Sequence, residues 1–269
     1  MVFVAVAGLR DTATPRHTGF IFYRAYFRIG YSNCWTSEQR ATNFPNTTYP
    51  SDPRITSYED KPVTYFNFGR MEMLPFVPGN ARTLLEIGCG EGEFSANLKL
   101  TRPLHITGIE PFSEAAGTAK TRLDRVLVKN VEAGLDDLAG ESCDCIFCND
   151  VLEHLVDPWV VLRRLKPFIA PGGVLVASLP NMRFMPVFKA LVLHGNWQYV
   201  DMGVMDRTHL RFFTLDSMKS MFKDCGFTVA TSQGINAIQL PWKFSLLNKL
   251  VFNRLSDTRY QHFAIVAKL

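Results

Sequence analysis

Thr83-Leu-Leu-Glu-Ile-Gly-Cys-Gly-Glu-Gly-Glu-Phe94 joins an apolar strand to three alternating glycines, with the carboxylate of Glu86 set just ahead of them. Gly88, Gly90 and Gly92 permit a sharp turn and a close approach of backbone to ligand, because glycine has no Cβ to block the approach or to penalise positive φ. Three ligand types compete for such a turn. A phosphate-cradling loop needs Lys and then Ser or Thr after its last glycine, but Gly92 is followed by Glu93 and Phe94. A dinucleotide fingerprint wants G-x-G-x-x-G, whereas G-x-G-x-G here is flanked by Glu86, Glu91 and Glu93, which repel a pyrophosphate. A ligand with an adenosine and a cationic amino-acid tail suits these acids, and S-adenosyl-L-methionine (SAM) is that ligand. An NAD-dependent oxidoreductase is the rival enzyme class for the same kind of sheet.

Leu104-His-Ile-Thr-Gly-Ile-Glu110 reads as a second buried strand ending in a carboxylate, placed where an acid about 20 residues past the loop grips ribose hydroxyls. On these two stretches the chain resembles the class I SAM-dependent methyltransferases, whose first motif is similar to Leu85-Glu-Ile-Gly-Cys-Gly-Glu-Gly92. Asn130-Val-Glu132 sits where that family often has Asp-Ile-Glu beside the adenine, with Asn130 in place of the usual Asp. Cys145-Ile-Phe-Cys-Asn-Asp-Val-Leu-Glu-His154 resembles the family's fourth strand and its exit into the active site. The resemblance implies a cofactor set of Glu86, Gly88, Cys89, Gly90 and Gly92 from the loop, Glu110 and Pro111 after the second strand, Asn130 and Val131, and Asn149, Asp150 and Val151 after the fourth.

The 269 residues suit one α/β domain, since such domains run to about 250 residues. Hydrophobic residues make up 47% and charged residues 20%, ordinary for a globular protein, and a net charge of +4 gives no argument for nucleic acid. No apolar run approaches the ~20 residues needed to span a bilayer, and Met1 to Leu9 is short and has no basic stretch before it, so a cytoplasmic location is expected. Cys143, Cys145 and Cys148 form a C-x-C-x-x-C cluster. They lie on an expected strand that sends Cys145 and Cys148 to opposite faces, which argues for buried free thiols rather than a metal site. The sequence does not give the oligomeric state.

Residues 1–57 carry six Arg, no Lys and only Asp11, Glu38 and Asp52 as acids, and Thr36 to Ser57 shows no period of regular structure. They read as a poorly ordered extension whose aromatic and basic stretch Phe20 to Tyr31 allows peripheral membrane contact. From residue 58 to 269 a leading helix over Val63 to Val77 is followed by alternating strands and helices, the pattern of a doubly wound, mostly parallel sheet. Strands fall at Thr83 to Ile87, His105 to Ile109, Arg125 to Val128, Cys143 to Cys148 and Val174 to Ser178. A helix over Pro158 to Phe168 has Val160, Leu162 and Leu165 as its buried stripe, and Thr214 caps another over Leu215 to Cys225 that ends at Gly226. Phe227 to Thr231 and Phe263 to Ala267 are the last strands. The resemblance implies that they pair as an antiparallel hairpin, completing a seven-stranded Rossmann-like methyltransferase sheet.

Ligands of such sheets sit beyond the carboxyl ends of the strands, which selects Asn149 to His154. Asp150, Glu153 and His154 form a D-x-x-E-H string that also resembles the metal-binding groups of some methyltransferases acting on quinol or RNA hydroxyls, although a metal-free site is the expectation. Residues about 180–214 stand where the family builds a substrate lid. Met205-Asp-Arg-Thr-His-Leu-Arg-Phe-Phe-Thr214 resembles a string recurring in methyltransferases associated with bacterial polysaccharide and glycosyl-transfer enzymes. Trp197, Tyr199, Asp206, Arg207 and Arg211 are therefore candidates for a sugar or glycan hydroxyl acceptor, with an ion-pair network that only shapes the lid as the alternative for the arginines. His209 or His154 is the candidate base. A quinol or phenol O-methyltransferase and a non-catalytic SAM-binding module are the other readings.

Overall fold

The computed structural model describes Lys61 and residues 69–269. The expected extension 1–57, including Phe20 to Tyr31, and the first part of the helix expected from Val63 lie outside the described residues. What is described of that helix is a 3-10 turn, Met71–Phe76, interrupted by Pro75.

Seven strands form one sheet in the order β3-β2-β1-β4-β5-β7-β6. They are β1 (Thr83–Ile87), β2 (His105–Glu110), β3 (Arg125–Val128), β4 (Cys143–Asn149), β5 (Ile169–Pro180), β6 (Thr228–Ala237) and β7 (Tyr260–Lys268). The first five pair in parallel, and β7 runs antiparallel between β5 and β6. The helices are α1 (Glu93–Thr101), α2 (Ser113–Ala119), α3 (Pro158–Leu165), α4 (Met185–His194), α5 (Leu215–Asp224) and α6 (Trp242–Leu250).

Strand alternation splits the core in two. Leu85 and Ile87 of β1, with Ile146 and Cys148 of β4, face Leu162 and Leu165 of α3 and Met218 and Phe222 of α5. Leu84, Ile106, Cys145 and Phe147 face Phe94 and Leu98 of α1 on the other side. Cys145 and Cys148 thus point to opposite faces, and Cys89, Cys143, Cys145, Cys148 and Cys225 are free and buried. Cys143 falls on the side of Cys148 because the β4–β5 register shifts between Cys143 and Cys145. That shift is also why β5 starts at Ile169, before Pro171-Gly-Gly173, rather than at Val174.

The helix from Pro158 is shorter than its apolar spacing suggested, passing into a 3-10 turn over Lys166–Phe168. Its buried stripe is Val161, Leu162 and Leu165, with Val160 only half-buried. Asp157 caps its N-terminus by accepting from the Val160 amide. Thr214 and Ser217 form a reciprocal capping box on α5, and Gly226 follows that helix at φ +78°. Two helices were not legible, α4 and α6, both inserted beyond the carboxyl ends of strands.

Leu165 is fully buried at the centre of the α3 side. Leu165→Ala should cost about 2–5 kcal/mol by removing its contacts and leaving a cavity. Urea unfolding should report this as a lower midpoint at unchanged slope.

Candidate active site

The glycine loop folds back over β2, with the Gly88 and Cys89 amides donating to the Ile109 carbonyl at 2.8 and 3.1 Å. Gly88 and Gly92 hold φ of +67° and +77°. A Cβ on Gly88 would lie 2.6 Å from Val151 Cγ2, and one on Gly92 would overlap Leu123 Cδ1. The loop therefore needs glycine both for its backbone and for what packs on it.

Glu110 is nearly fully buried, and it accepts from the Gly90 amide at 2.8 Å and the Phe112 amide at 3.1 Å. These bonds fix the loop against the end of β2. Burial pushes its carboxyl up, and the two amides draw it partly back. Glu86 is buried beneath the loop, taking a hydrogen bond from the Ser95 hydroxyl of α1. Burial raises its pKa to about 8; Ser95 opposes the rise and the Glu110 charge adds to it. Asn130 accepts from the Glu132 amide at 2.8 Å, Val131 is buried, Cys89 is buried and Pro111 is exposed.

β4 ends in Asn149, whose amide nitrogen and oxygen are both buried and carry no hydrogen bond from the protein. A ligand or an ordered water would complete such a pair of unmet groups. Asp150 follows at φ +50°. Its side chain is taken up by the protein: Arg70 reaches it at 2.5 Å, the Ser178 hydroxyl donates at 2.7 Å, and His262 Nε2 lies 3.9 Å away. Burial alone would raise the Asp150 pKa, but Arg70, His262 and Ser178 outweigh it and hold the group below the ordinary carboxylate range. Sequence reasoning missed Arg70 and His262. Ser178 was marked only as the end of strand five.

Glu153 and His154 stand on a 3-10 turn, Leu152–His154, and the lid loop brings His209 to them. Loop and turn are bonded through the Glu153 carbonyl, which accepts from the Leu210 and Arg211 amides at 2.8 and 2.9 Å. The two imidazoles meet edge to face at 4.7 Å between centroids. His209 Nδ1 lies 3.1 Å from the Val204 carbonyl and His154 Nδ1 3.2 Å from that of Thr208. We assign the Nδ1–H tautomer to both, so that each donates to its carbonyl, and on His209 this leaves Nε2 as the proton acceptor. Burial lowers both pKa values, that of His154 to about 4 with the neighbouring His209 charge assisting. Both rings are neutral at pH 7.

Glu153 is fully buried, and neither carboxylate oxygen has a hydrogen-bond partner. Its Oε1 is 4.0 Å from His209 Nε2, too far for a hydrogen bond. Burial first, then the Asp150 charge, pushes its pKa well up. Glu153, His154 and His209 offer ligand atoms within 4.8 Å of one another. This trio replaces the Asp150, Glu153 and His154 set suggested by the D-x-x-E-H string, because Asp150 is committed to Arg70.

Of the acceptor candidates, Asp206 pairs with Lys61 at 2.6 Å, both side chains buried, and also accepts from the Thr208 amide and hydroxyl. Arg207 pairs with Asp201 at 3.0 Å, and Arg211 donates to the Val156 carbonyl. These charges tie the loop together. Trp197 and Tyr199 are exposed on either approach to Phe212, at 5.4 and 6.2 Å between centroids.

A buried carboxyl whose folded pKa is raised favours the protein at low pH, and that contribution is lost as pH rises from 4.5 toward about 8. Glu86→Gln removes the loss. The stability gap between Glu86→Gln and the natural chain should therefore widen in favour of the variant by up to about 1.4 kcal/mol per pH unit across that window. Parallel stability-versus-pH curves from chemical unfolding would show that Glu86 is not the titrating group.

Comparison with known proteins fits this geometry. A family model described as a methyltransferase domain matches residues 65–232. The ubiquinone biosynthesis O-methyltransferase of Aeromonas salmonicida is 27% identical over 200 residues, covering 70% of this chain and 81% of its own. That of Chromobacterium violaceum is 26% identical over 216 residues, covering 75% and 88%. Among solved structures, a SAM-dependent methyltransferase from Archaeoglobus fulgidus aligns with a TM-score of 0.54 at 17% identity, covering 77% of this chain and 95% of that one. The chain belongs to the SAM-dependent methyltransferases, with the Rossmann-like sheet of that family and SAM as its methyl donor.

Proposed function

We propose that the protein transfers the SAM methyl group to a hydroxyl oxygen of a small phenol- or quinol-type acceptor. The observation that carries this reading is the pair of neutral imidazoles, buried His209 and half-buried His154, beyond the carboxyl end of β4. Methyl transfer from a sulfonium to oxygen is an in-line displacement that disperses positive charge, so alignment and exclusion of water supply most of the acceleration. The hydroxyl must also lose its proton. In this reading His209 Nε2 accepts it, and the contact of Nδ1 with the Val204 carbonyl supports that role.

The acidity of the acceptor decides between classes. Burial makes these imidazoles weaker bases than an ordinary histidine. A phenol with a pKa near 10, by analogy with tyrosine, matches such a base far better than an alkyl hydroxyl, whose pKa lies nearer the ~15.7 of water. The sugar or glycan acceptor expected from the lid string has less behind it. Asp206, Arg207 and Arg211 are engaged within the protein, and both relatives above are named for ubiquinone biosynthesis rather than polysaccharide assembly. In this reading residues about 180–214 remain the lid, serving as scaffold for His209, while Trp197 and Tyr199 are left as acceptor contacts. Gly88, Gly90, Glu110 and Asn149 hold SAM.

A labelled-methyl transfer assay against catechols, quinols and sugars should give product with the phenolic acceptors, and transfer to sugars alone would overturn the assignment. His209→Ala should lower kcat by about 10²- to 10⁴-fold while SAM affinity is unchanged. Because its pKa is lowered from 6.5, the acidic limb of kcat/KM should lie below the usual histidine range and disappear in the variant.

A metal-assisted alternative, in which His209 Nε2 binds an ion instead of taking the proton, rests on the orphaned Glu153 carboxylate. Both histidines give Nδ1–H to backbone carbonyls, as metal-ligating histidines do, so Glu153, His154 and His209 fit a divalent ion of the zinc type better than magnesium. Such an ion would supply Lewis acidity that makes a bound hydroxyl more acidic. Zinc should raise the Tm of the natural chain and leave Glu153→Gln unmoved; equal shifts would remove the site.

A further inference from the structure

Helix α6 is a nine-residue helix without a single buried residue. It fills the connection from β6 to β7, and because β6 runs antiparallel to β7 as β5 does, this connection leaves the same end of the sheet as α4 and the active-site loops. What it exposes is apolar: Trp242 is 74% exposed, Leu250 71% and, on the turn that follows, Phe252 86%, with Leu246 and Leu247 beside them. A globular protein normally turns such side chains inward, and a contiguous group of them marks an interaction surface.

α4 behaves in the same way. Residues 191–199 are all exposed, among them Leu191, Val192, Leu193 and Trp197. The two insertions are tied to each other where they meet the sheet. Arg183, just ahead of α4, pairs with Asp257 at 3.3 Å and donates to the Arg254 carbonyl at 2.5 Å, while Asn181 donates to the Asp257 carbonyl at 3.0 Å.

Charge identifies the partner. Residues 238–256 contain Lys243, Lys249 and Arg254 and no acid, and residues 182–200 contain Arg183 and Lys189 and no acid. In a chain with 25 acids, these two apolar stretches hold none, and the nearby Asp257 is taken up by Arg183. Exposed Trp, Phe and Leu among lysines, in a helix far too short to cross a bilayer, are the composition of an element that lies in the headgroup region. Among the described residues no helix is long and apolar enough to span a membrane.

We propose that α6, with its following turn and the exposed end of α4, docks the carboxyl end of the sheet on an anionic lipid surface. Trp242, Leu246, Leu250 and Phe252 enter the interface, and Lys243 and Lys249 meet the anionic headgroups. The docking holds the active-site entrance against the bilayer and does not depend on which hydroxyl is methylated.

Flotation of the full chain with phosphatidylcholine vesicles, with or without phosphatidylglycerol, tests it. The protein should float with the anionic vesicles, bind the neutral ones more weakly, and lose most of its binding at about 1 M salt, where the Debye length falls to about 3 Å. Leu250→Asp combined with Phe252→Asp should lower the bound fraction at least tenfold while SAM affinity stays that of the natural chain, which verifies folding. Lys243→Glu with Lys249→Glu should abolish the preference for the anionic lipid. Failure of the natural chain to float overturns the proposal. So does undiminished flotation of the Asp pair, which would place the contact in residues 1–60. A concentration-dependent dimer of the natural chain that the Asp pair dissolves would likewise overturn it, by assigning the surface to a second copy.

Discussion

The site depends on one reversal of winding. The chain builds β1, β2 and β3 outward in one direction and then returns, so that β4 pairs with the free side of β1. The helix after β1 packs on one face of the sheet and the helix after β4 on the other, as Phe94 and Leu98 against Leu162 and Leu165 record. The two connections therefore diverge at the carboxyl ends of β1 and β4 and leave a crevice between them. The glycine loop forms one wall and Asn149 to Val151 the other. Val151 leans on Gly88 so closely that no side chain fits there, which links the two walls through a single contact.

That reversal also explains which parts were legible in the sequence. Buried parallel strands carry continuous apolar runs, and their positions followed from Leu84 to Ile87, Ile106 to Ile109 and Cys145 to Cys148 without structural information. The Thr214 cap and Gly226 stop were equally local. Non-local pairing was not legible. Arg70 is 80 residues from Asp150 and Lys61 145 from Asp206, and neither separation carries a sequence period. The helix α6 escaped for the opposite reason, since none of its residues is buried and it shows no stripe to detect. Val160 was taken for Val161 because the 3-10 turn at Lys166–Phe168 ends the helix after eight residues, leaving too little of it to fix the phase.

The buried acids fall into two kinds. Glu86, Glu110, Asp206 and the half-buried Asp150 each receive protein donors: Ser95, two loop amides, Lys61 with Thr208, and Arg70 with Ser178. Removing a partner from any of these leaves a buried group uncompensated, so they act as scaffold as much as ligand contacts. Asp206 shows the consequence. Its carboxylate holds Thr208, whose carbonyl and hydroxyl both approach His154 Nδ1, and its backbone carbonyl accepts from the His209 amide. A charge expected to meet the acceptor instead sets the angle of both histidines.

Glu153 is the exception, and the difference is physical. A fully buried carboxyl with no side-chain donor is poorly placed to hold its charge, and burial and the Asp150 charge push its pKa well up. Nothing in folding favours that arrangement, since an alanine of smaller size or a leucine of similar bulk would avoid the desolvation. A cation held between it and the His154 and His209 rings, as proposed above, would supply the partner that the fold withholds. In the proposed reaction the acceptor's proton goes to His209 Nε2, so that a hydroxyl reaching this corner would meet Glu153 as a hydrogen-bond partner and His209 as its base.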